Sequence, residues 1–183
     1  SDKARALRQR IAFAAAHMDA AVDISDDALM ATLDDWLPPL LAGRRRLGDV
    51  DPGALSGVLE GMMGWDARQA VDRIAPAGFT SPAGSHHAID YGAEGGPRVE
   101  LRVQALFGLG VHPAVGGGAV PLVLSLTSPA GRPIQTTRDL PGFWAGSWAA
   151  VAKEMRGRYP RHPWPDDPAA AAATLRTKRA DAR

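Results

Sequence analysis

The 183-residue sequence contains no cysteine, and this absence removes several kinds of chemistry. Without thiols the chain forms no disulfide, thiolate zinc site, iron–sulfur cluster or cysteine nucleophile. Only three of its 21 basic residues are lysines (Lys3, Lys153 and Lys178), and none of them follows a glycine. A phosphate-binding P-loop requires a Gly-Lys pair, so the sequence carries no ATP site of that kind.

Other catalytic and membrane signals are missing as well. No apolar run approaches the roughly 20 residues that cross a bilayer, and no Gly-x-Ser-x-Gly or His-Glu-x-x-His motif is present. The adjacent His86 and His87 would point to opposite faces of a strand, which favours packing over metal binding. The paired acids at 26–27 and 34–35 are better explained by helix capping and solubility than by acid–base catalysis. We expect a cytoplasmic protein with no membrane partner and no catalytic, cofactor or metal site in this chain.

Charge is distributed unevenly along the sequence, although the net charge is only +1. Residues 19–51 contain eight acids and three arginines, a net charge of −5, whereas residues 153–183 contain eight bases and four acids, a net charge of +4. A basic C-terminal end favours an anionic partner, with single-stranded nucleic acid first. The alternative is a solvated tail that serves only solubility.

Residues 1–76 are predicted to be helical. Ser25 is a suitable N-cap for a helix whose apolar residues recur at helical spacing from Leu29 to Leu40. Pro52 fits the first turn of the next helix, and Asp66 is a cap for a short fourth helix that ends before Pro76.

Residues 77–139 have the composition of a β-rich region. Alternation at 87–91 and 99–103 predicts a hairpin, and residues 104–108 suit a short helical turn. The apolar run 120–126 predicts a buried strand, which a turn at 128–131 connects to a returning strand at 133–137. These short strands predict a small antiparallel β-barrel or a curled sheet.

Residues 140–165 are predicted to form an amphipathic helix followed by an extended, proline-rich segment. Trp144, Trp148, Val151 and Met155 lie on one face of a helix that should end near Gly157, and core packing is favoured over base stacking for this face. Residues 166–183 are expected to form a mobile basic tail. The fold class is therefore α+β.

The candidates for nucleic-acid binding cluster around the end of that helix. Tyr159 and Trp164 alternate with Arg158, Arg161 and His162, a pattern that suits stacking of bases plus phosphate contact. The alternative is a clamp in which arginine and aromatic side chains pin the segment to the body of the protein. Lys153 and Arg156 belong to the last helical turn, where the macrodipole favours cations. Arg158 and Arg161 are predicted to lie beyond the helix and are the better candidates for function.

Two long stretches carry a specific resemblance. Residues 126–144, and residues 156–168 with the run Arg-Tyr-Pro-Arg-His-Pro-Trp-Pro, resemble the C-terminal region of the bacterial HrpB family of DEAH-type ATP-dependent helicases. Shorter similar stretches are Asp35–Leu37, Leu41–Gly43, Pro82–Ser85, Ile89–Tyr91 and Leu101–Leu109. The resemblance extends from about Asp23 to Lys178, with small departures at Thr127, where leucine is expected, and Trp148, where tyrosine is usual.

The resemblance implies that this chain is a fragment of a helicase. Motor domains that hold ATP and Mg²⁺ would precede it, and an OB-like barrel would correspond to its β-rich region. Arg132, inside the resembling stretch, joins the nucleic-acid-binding candidates. Two functions follow: an accessory nucleic-acid-binding module of an RNA helicase, or a structural module that docks on its own motor domains or on a protein partner without touching nucleic acid.

Overall fold

The computed structural model describes residues 2–18 and 23–177, and these form two compact units. The first unit comprises the described residues up to Ala77 together with Asp90–Gly92 and Val115–Gly117. The second comprises Gly78–Ile89, Ala93–Ala114 and the described residues from Gly118 onward. Helices and small sheets both contribute, so the class is α+β, as predicted. No helix in the described ranges is long and apolar enough to cross a membrane.

The first unit is built from helices. They are α1 (Asp2–Ala15), α2 (Asp26–Ala31), α3 (Leu33–Leu41), a 3₁₀ turn (Leu47–Asp49) and α4 (Pro52–Ile74). The Ser25 hydroxyl accepts a hydrogen bond from the Ala28 N–H at 3.3 Å, which confirms the predicted N-cap of α2. Gly64 has φ +70° and ψ 172°, a conformation that only glycine adopts easily, and it kinks α4. The helix predicted to start at Pro52 and the short fourth helix are the two halves of α4. Asp66 lies inside the second half instead of capping it.

The core of the first unit joins α1 to α4. Its buried residues are Ile11, Ala14, Ile24, Met63, Val71 and Ala75. The Arg10 guanidinium donates to the Ala75 carbonyl at 2.5 Å and pairs with Asp72, so a cation ties the two helices at the edge of this core. The Tyr91 ring lies 4.9 Å from that of Phe13 at a tilt of 46°, and the Tyr91 hydroxyl donates to the Pro76 carbonyl at 2.8 Å. Burial raises the pKa of Tyr91 to about 12 against the opposing charge of Arg10.

Seven short strands occur within the described residues. They are β1 (Gly78–Thr80), β2 (His86–Ala88), β3 (Arg98–Arg102), β4 (Ala114–Val115), β5 (Val120–Pro121), β6 (Val123–Thr127) and β7 (Pro133–Thr137). β1 pairs with β2, β4 pairs with β5, and the remaining strands form a sheet in the order β3-β6-β7. A 3₁₀ turn follows β3 at Val103–Leu106, and it confirms the predicted helical turn.

Three predictions about these strands are wrong. The described strands form no closed barrel, and β3 runs parallel to β6, with Leu101 opposite Leu126, where antiparallel pairing was expected. The pairing is parallel because residues 103–122 form a long crossover that returns the chain to the starting end of β3. The expected hairpin between 87–91 and 99–103 is also absent, since β2 instead pairs with β1 across a turn closed by the Ser81 N–H and the Ser85 carbonyl at 2.9 Å.

The sheet β3-β6-β7 supports the core of the second unit. Its inward residues, including Val99, Leu101, Leu124 and Leu126, are at most 3% exposed. Two helices, α5 (Leu140–Ala145) and α6 (Trp148–Arg158), replace the single predicted helix because the chain breaks at Gly146 and Ser147. Trp148 is 1% exposed, which confirms that this residue belongs to the core.

The chain after α6 contains neither helix nor strand as far as Thr177, the last described residue. The His162 N–H donates to the Tyr159 carbonyl at 3.1 Å, so the proline-rich segment turns at this point. The prediction that this segment is extended throughout is therefore wrong. The Gly108 N–H donates to the Pro168 carbonyl at 2.9 Å, which attaches the following residues to the unit. Mobility of residues 166–183 stays a prediction, and residues 178–183 lie outside the described part of the chain.

Candidate nucleic-acid interface

The last turn of α6 brings predicted site residues to the surface. α6 ends at Arg158, one residue beyond the predicted end, so Arg156 and Arg158 both lie in its last turn. The expectation that Arg158 lies beyond the helix is wrong, because Gly157 continues the helix and the chain leaves it only at Tyr159. Both cations lie at the negative end of the helix dipole, which favours positive charge there. Position on the helix therefore does not make Arg158 a better candidate for function than Arg156.

Arg156 acts as the clamp between the helix and the proline-rich segment. Its guanidinium donates to the Trp164 carbonyl at 2.7 Å and pairs with Asp166 at 3.3 Å. Trp164 is 4% exposed, lies with its ring centroid 6.2 Å from that of Trp148, and donates its indole N–H to the Tyr159 carbonyl at 2.9 Å. A ring buried in this way offers no face to a base, so the structure places Trp164 in the core instead of in an interface.

A small cleft brings together Arg132, Arg158 and Tyr159, three of the predicted site residues. Ser128 and Glu154 complete its polar lining, and we call these five residues the arginine cleft. The cavity has a volume of about 150 Å³, and its apolar lining is Pro133, Ile134, Val151 and Met155.

Local structure explains how the cleft is assembled. The turn between β6 and β7 is closed by the Gly131 N–H and the Ser128 carbonyl at 2.9 Å, with Gly131 at φ +75°, and it brings Arg132 back beside Ser128. The Arg132 N–H donates to the Ser128 hydroxyl at 3.1 Å, and that hydroxyl donates to the Tyr159 hydroxyl oxygen at 3.3 Å. The Tyr159 hydroxyl hydrogen is therefore left for another acceptor.

Glu154 supplies the one negative charge in the cleft. It lies one helical turn before Arg158 and pairs with that guanidinium at 3.0 Å. The side chains of Glu154 and Arg158 are 55% and 59% exposed, so the pair is solvated and weak. Two guanidinium groups, two hydroxyls and one carboxylate thus line a space that can receive a small anion.

The other predicted residues lie outside the cleft. The side chains of Lys153 and Arg161 are exposed and make no hydrogen bond or ion pair within the described residues, so both cations face solvent. His162 is half-buried, and its Nδ1 atom is buried without a partner among the described residues. Burial lowers the pKa of His162, and the charge of Arg102 lowers that pKa further, so His162 is neutral near pH 7 and adds no positive charge.

Sequence reasoning missed three residues at or near this surface: Ser128, Glu154 and Arg102. The spacing of four residues between Glu154 and Arg158 on a predicted helix was a usable signal for their ion pair. Ser128 was interpreted only as a turn residue, and no local pattern linked Arg102 to His162. Among the described residues no three histidine or acidic side chains come together in a way that could hold a metal ion.

The first unit contains a different kind of cavity. It has a volume of about 750 Å³ and is mainly apolar, with Ile11, Ile24, Leu29, Trp36, Leu55 and Leu59 among its lining residues. Trp65, on α4, is 72% exposed, which is unusual for so large an apolar side chain. Arg5 and Arg8 also line this cavity, but they pair with Asp2 and Asp26, so its mainly apolar lining suits contact with another apolar surface.

Comparisons with known proteins place this architecture in a family. The chain is 44% identical over 156 residues to the protein named "ATP-dependent RNA helicase HrpB" from Escherichia coli strain K12, a match that covers 85% of this chain and 19% of that protein. A crystal structure of the E. coli DExH-box NTPase HrpB matches with a TM-score of 0.87 and 41% identity, over 97% of this chain and 22% of the other. A crystal structure of the E. coli DEAH/RHA helicase HrpB matches with a TM-score of 0.68 and 38% identity, over 90% of this chain and 21% of the other.

The chain spans about a fifth of the length of these relatives. The family model described as "ATP-dependent helicase C-terminal" matches residues 36–168, which is well over half of the chain and includes every residue of the arginine cleft. The chain therefore belongs to the HrpB C-terminal family of ATP-dependent helicases.

Proposed function

We propose that this chain is the accessory C-terminal module of an ATP-dependent RNA helicase and contributes single-stranded nucleic-acid binding through the arginine cleft. The motor domains of the parent protein would bind ATP and Mg²⁺ and hydrolyse the nucleotide, while this chain holds no catalytic residue. The assignment is supported by the name of the E. coli relative and by the small share of that protein that this chain covers.

The observation that carries the proposal is the convergence of Arg132 and Arg158 on one cleft. The guanidinium group binds phosphate oxygens through charge-assisted hydrogen bonds in a planar fork. The free hydroxyl hydrogen of Tyr159 is a third donor at the same place. Exposed Lys153 and Arg161 extend the positive charge beyond the cleft, which suits a strand with repeated phosphates better than a single free anion.

In this proposal the open sheet β3-β6-β7 takes the role of the OB-like element implied by the resemblance. OB folds bind oligonucleotides with strands and with the loops that connect them. Here the connection from β6 to β7 carries Ser128 and Arg132 into the arginine cleft. A closed barrel is not required for this contact, because the donors lie on one turn and on one end of α6.

The first test measures binding of the chain to a labelled uridine-only single strand by fluorescence anisotropy over a salt series. On single strands the slope of log K against log salt is about −0.7 per phosphate contact. The variant R132A/R158A should therefore flatten the slope by about 1.4 while leaving the far-ultraviolet circular dichroism unchanged. Arg45 and Arg46 are exposed residues of the first unit, so R45A/R46A is the charge-matched control and should leave the slope unchanged. Equal effects of both variants would show that only net charge matters.

A docking function is favoured by the apolar features of the first unit. The apolar cavity beside α1 and the exposed ring of Trp65 would then contact the motor domains of the parent chain or a protein partner. If the isolated chain shows no binding to single strands at low salt, docking becomes the better function. Separately expressed motor domains should then retain the wild-type chain, and W65A should weaken that association.

A further inference from the structure

The arginine cleft is too small for a nucleotide. Its volume is about 150 Å³, half of the lower limit of roughly 300 Å³ for pockets that enclose drug-sized ligands. A base with its sugar needs such a pocket, whereas a phosphate group does not. The apolar lining comes from side chains on α6 and from the start of β7, and none of the aromatic rings of the core is part of it.

The donors in the cleft are unequally available. Arg132 is exposed and its guanidinium has no partner within the described residues, so this cation is ready for an anion. Arg158 is held by Glu154 at 3.0 Å. The Glu154 carboxylate occupies donors that a phosphate oxygen would use, and its own charge repels phosphate. Exposed ion pairs contribute little free energy, so an incoming anion that also contacts Arg132 can displace this carboxylate.

We propose that the arginine cleft is a subsite for one backbone phosphate, in which Glu154 is an internal competitor that the phosphate displaces from Arg158. This inference rests on the proposed function and specifies how the same site works. Binding to the phosphate alone carries no information about the base, so the subsite is independent of sequence. Glu154 lowers the affinity and thereby lets the strand exchange rapidly.

The test uses E154Q, which keeps the shape of the side chain and removes its charge. Breaking an exposed ion pair corresponds to about a two- to five-fold change in an equilibrium constant, so E154Q should bind the uridine strand about two- to five-fold more tightly. Glu60 is a half-exposed acid of the first unit that pairs with Arg68, so E60Q is the matched control for the charge change and should leave the affinity unchanged.

A double-variant cycle tests whether Glu154 acts through Arg158. In the R158A background E154Q should no longer tighten binding by the same factor, because the guanidinium that the carboxylate occupies has been removed. Equal gains from E154Q and E60Q, or an undiminished gain in R158A, would overturn the inference while leaving the proposed function intact. If the wild type binds the strand and E154Q binds it with the same affinity, the inference is also overturned and the proposed function stands. If neither the wild type nor E154Q binds the strand at low salt, both proposals fail.

Discussion

Replacing Trp148 with alanine should be the most destabilising single change in the second unit. Its side chain is 1% exposed, and ring centroids of four aromatic residues lie within 5.2–6.2 Å of its own: Phe107, Phe143, Trp144 and Trp164. Large-to-small aromatic changes in a core cost about 3–5 kcal/mol. The indole N–H also donates to the Pro165 carbonyl at 2.9 Å, and the loss of this bond adds about 1 kcal/mol. We therefore expect a loss at the upper end of that range.

Urea denaturation followed by circular dichroism measures this loss. The control is Trp65→Ala, which removes the same side chain from a position that is 72% exposed, and it should change the free energy of unfolding by no more than about 0.5 kcal/mol. The two units can unfold in separate transitions, so the midpoint assigned to the second unit is the one to compare. A loss below about 1.5 kcal/mol, or one equal to that of the control, would refute the core assignment.

Three further predictions concern a clamp, a kink and a titration. Arg156→Ala should lower the melting temperature of the second unit without changing the salt slope of strand binding, because Arg156 bonds the Trp164 carbonyl and not the arginine cleft; a changed slope would contradict this role. Gly64→Ala should lower the free energy of unfolding in urea denaturation by about 1–3 kcal/mol, because the site requires φ +70°. The new methyl group would meet open space, so the cost would come from the backbone conformation alone. The control Gly61→Ala, also in open space but within regular helix, should instead stabilise by about 0.5–1 kcal/mol. Because the pKa of Tyr91 is raised to about 12, the folded state holds its proton more tightly than the unfolded state, and the free energy of unfolding should fall as pH rises from 10 towards 12. Tyr91→Phe should reduce that fall, and an equal fall would refute the assignment.

Features that depend on a few neighbouring residues could be predicted from the sequence. The N-cap at Ser25 follows from a hydroxyl placed before a helical pattern, and the turn at residues 128–131 follows from its Pro and Gly. The predicted end of α6 is correct to one residue because Tyr159, the residue before Pro160, disfavours helical backbone, although Gly157 itself continues the helix. In each case the determining interaction spans four residues or fewer.

Features that depend on distant residues could not be predicted in this way. Alternation along β2 and β3 gives the two faces of each strand but not the neighbour, so β2 was assigned to the wrong partner. The parallel pairing of β3 with β6 depends on a crossover of about twenty residues with no strong pattern of its own. The arginine cleft joins Arg132 to Arg158, and it exists only because the turn after β6 lies beside the end of α6.

The run from Arg156 to Asp166 shows why an unusual motif does not by itself identify a nucleic-acid interface. Two of its residues serve the fold, because Arg156 bonds the Trp164 carbonyl and Trp164 is buried against Trp148. The remaining arginines are exposed: Arg158 pairs with Glu154 in the arginine cleft, and Arg161 has no partner within the described residues. Within this run, Arg156 and Trp164 therefore hold the fold together, whereas Arg158 and Tyr159 line the arginine cleft. Variants of Trp164 should report on folding, and variants of Arg158 should report on binding.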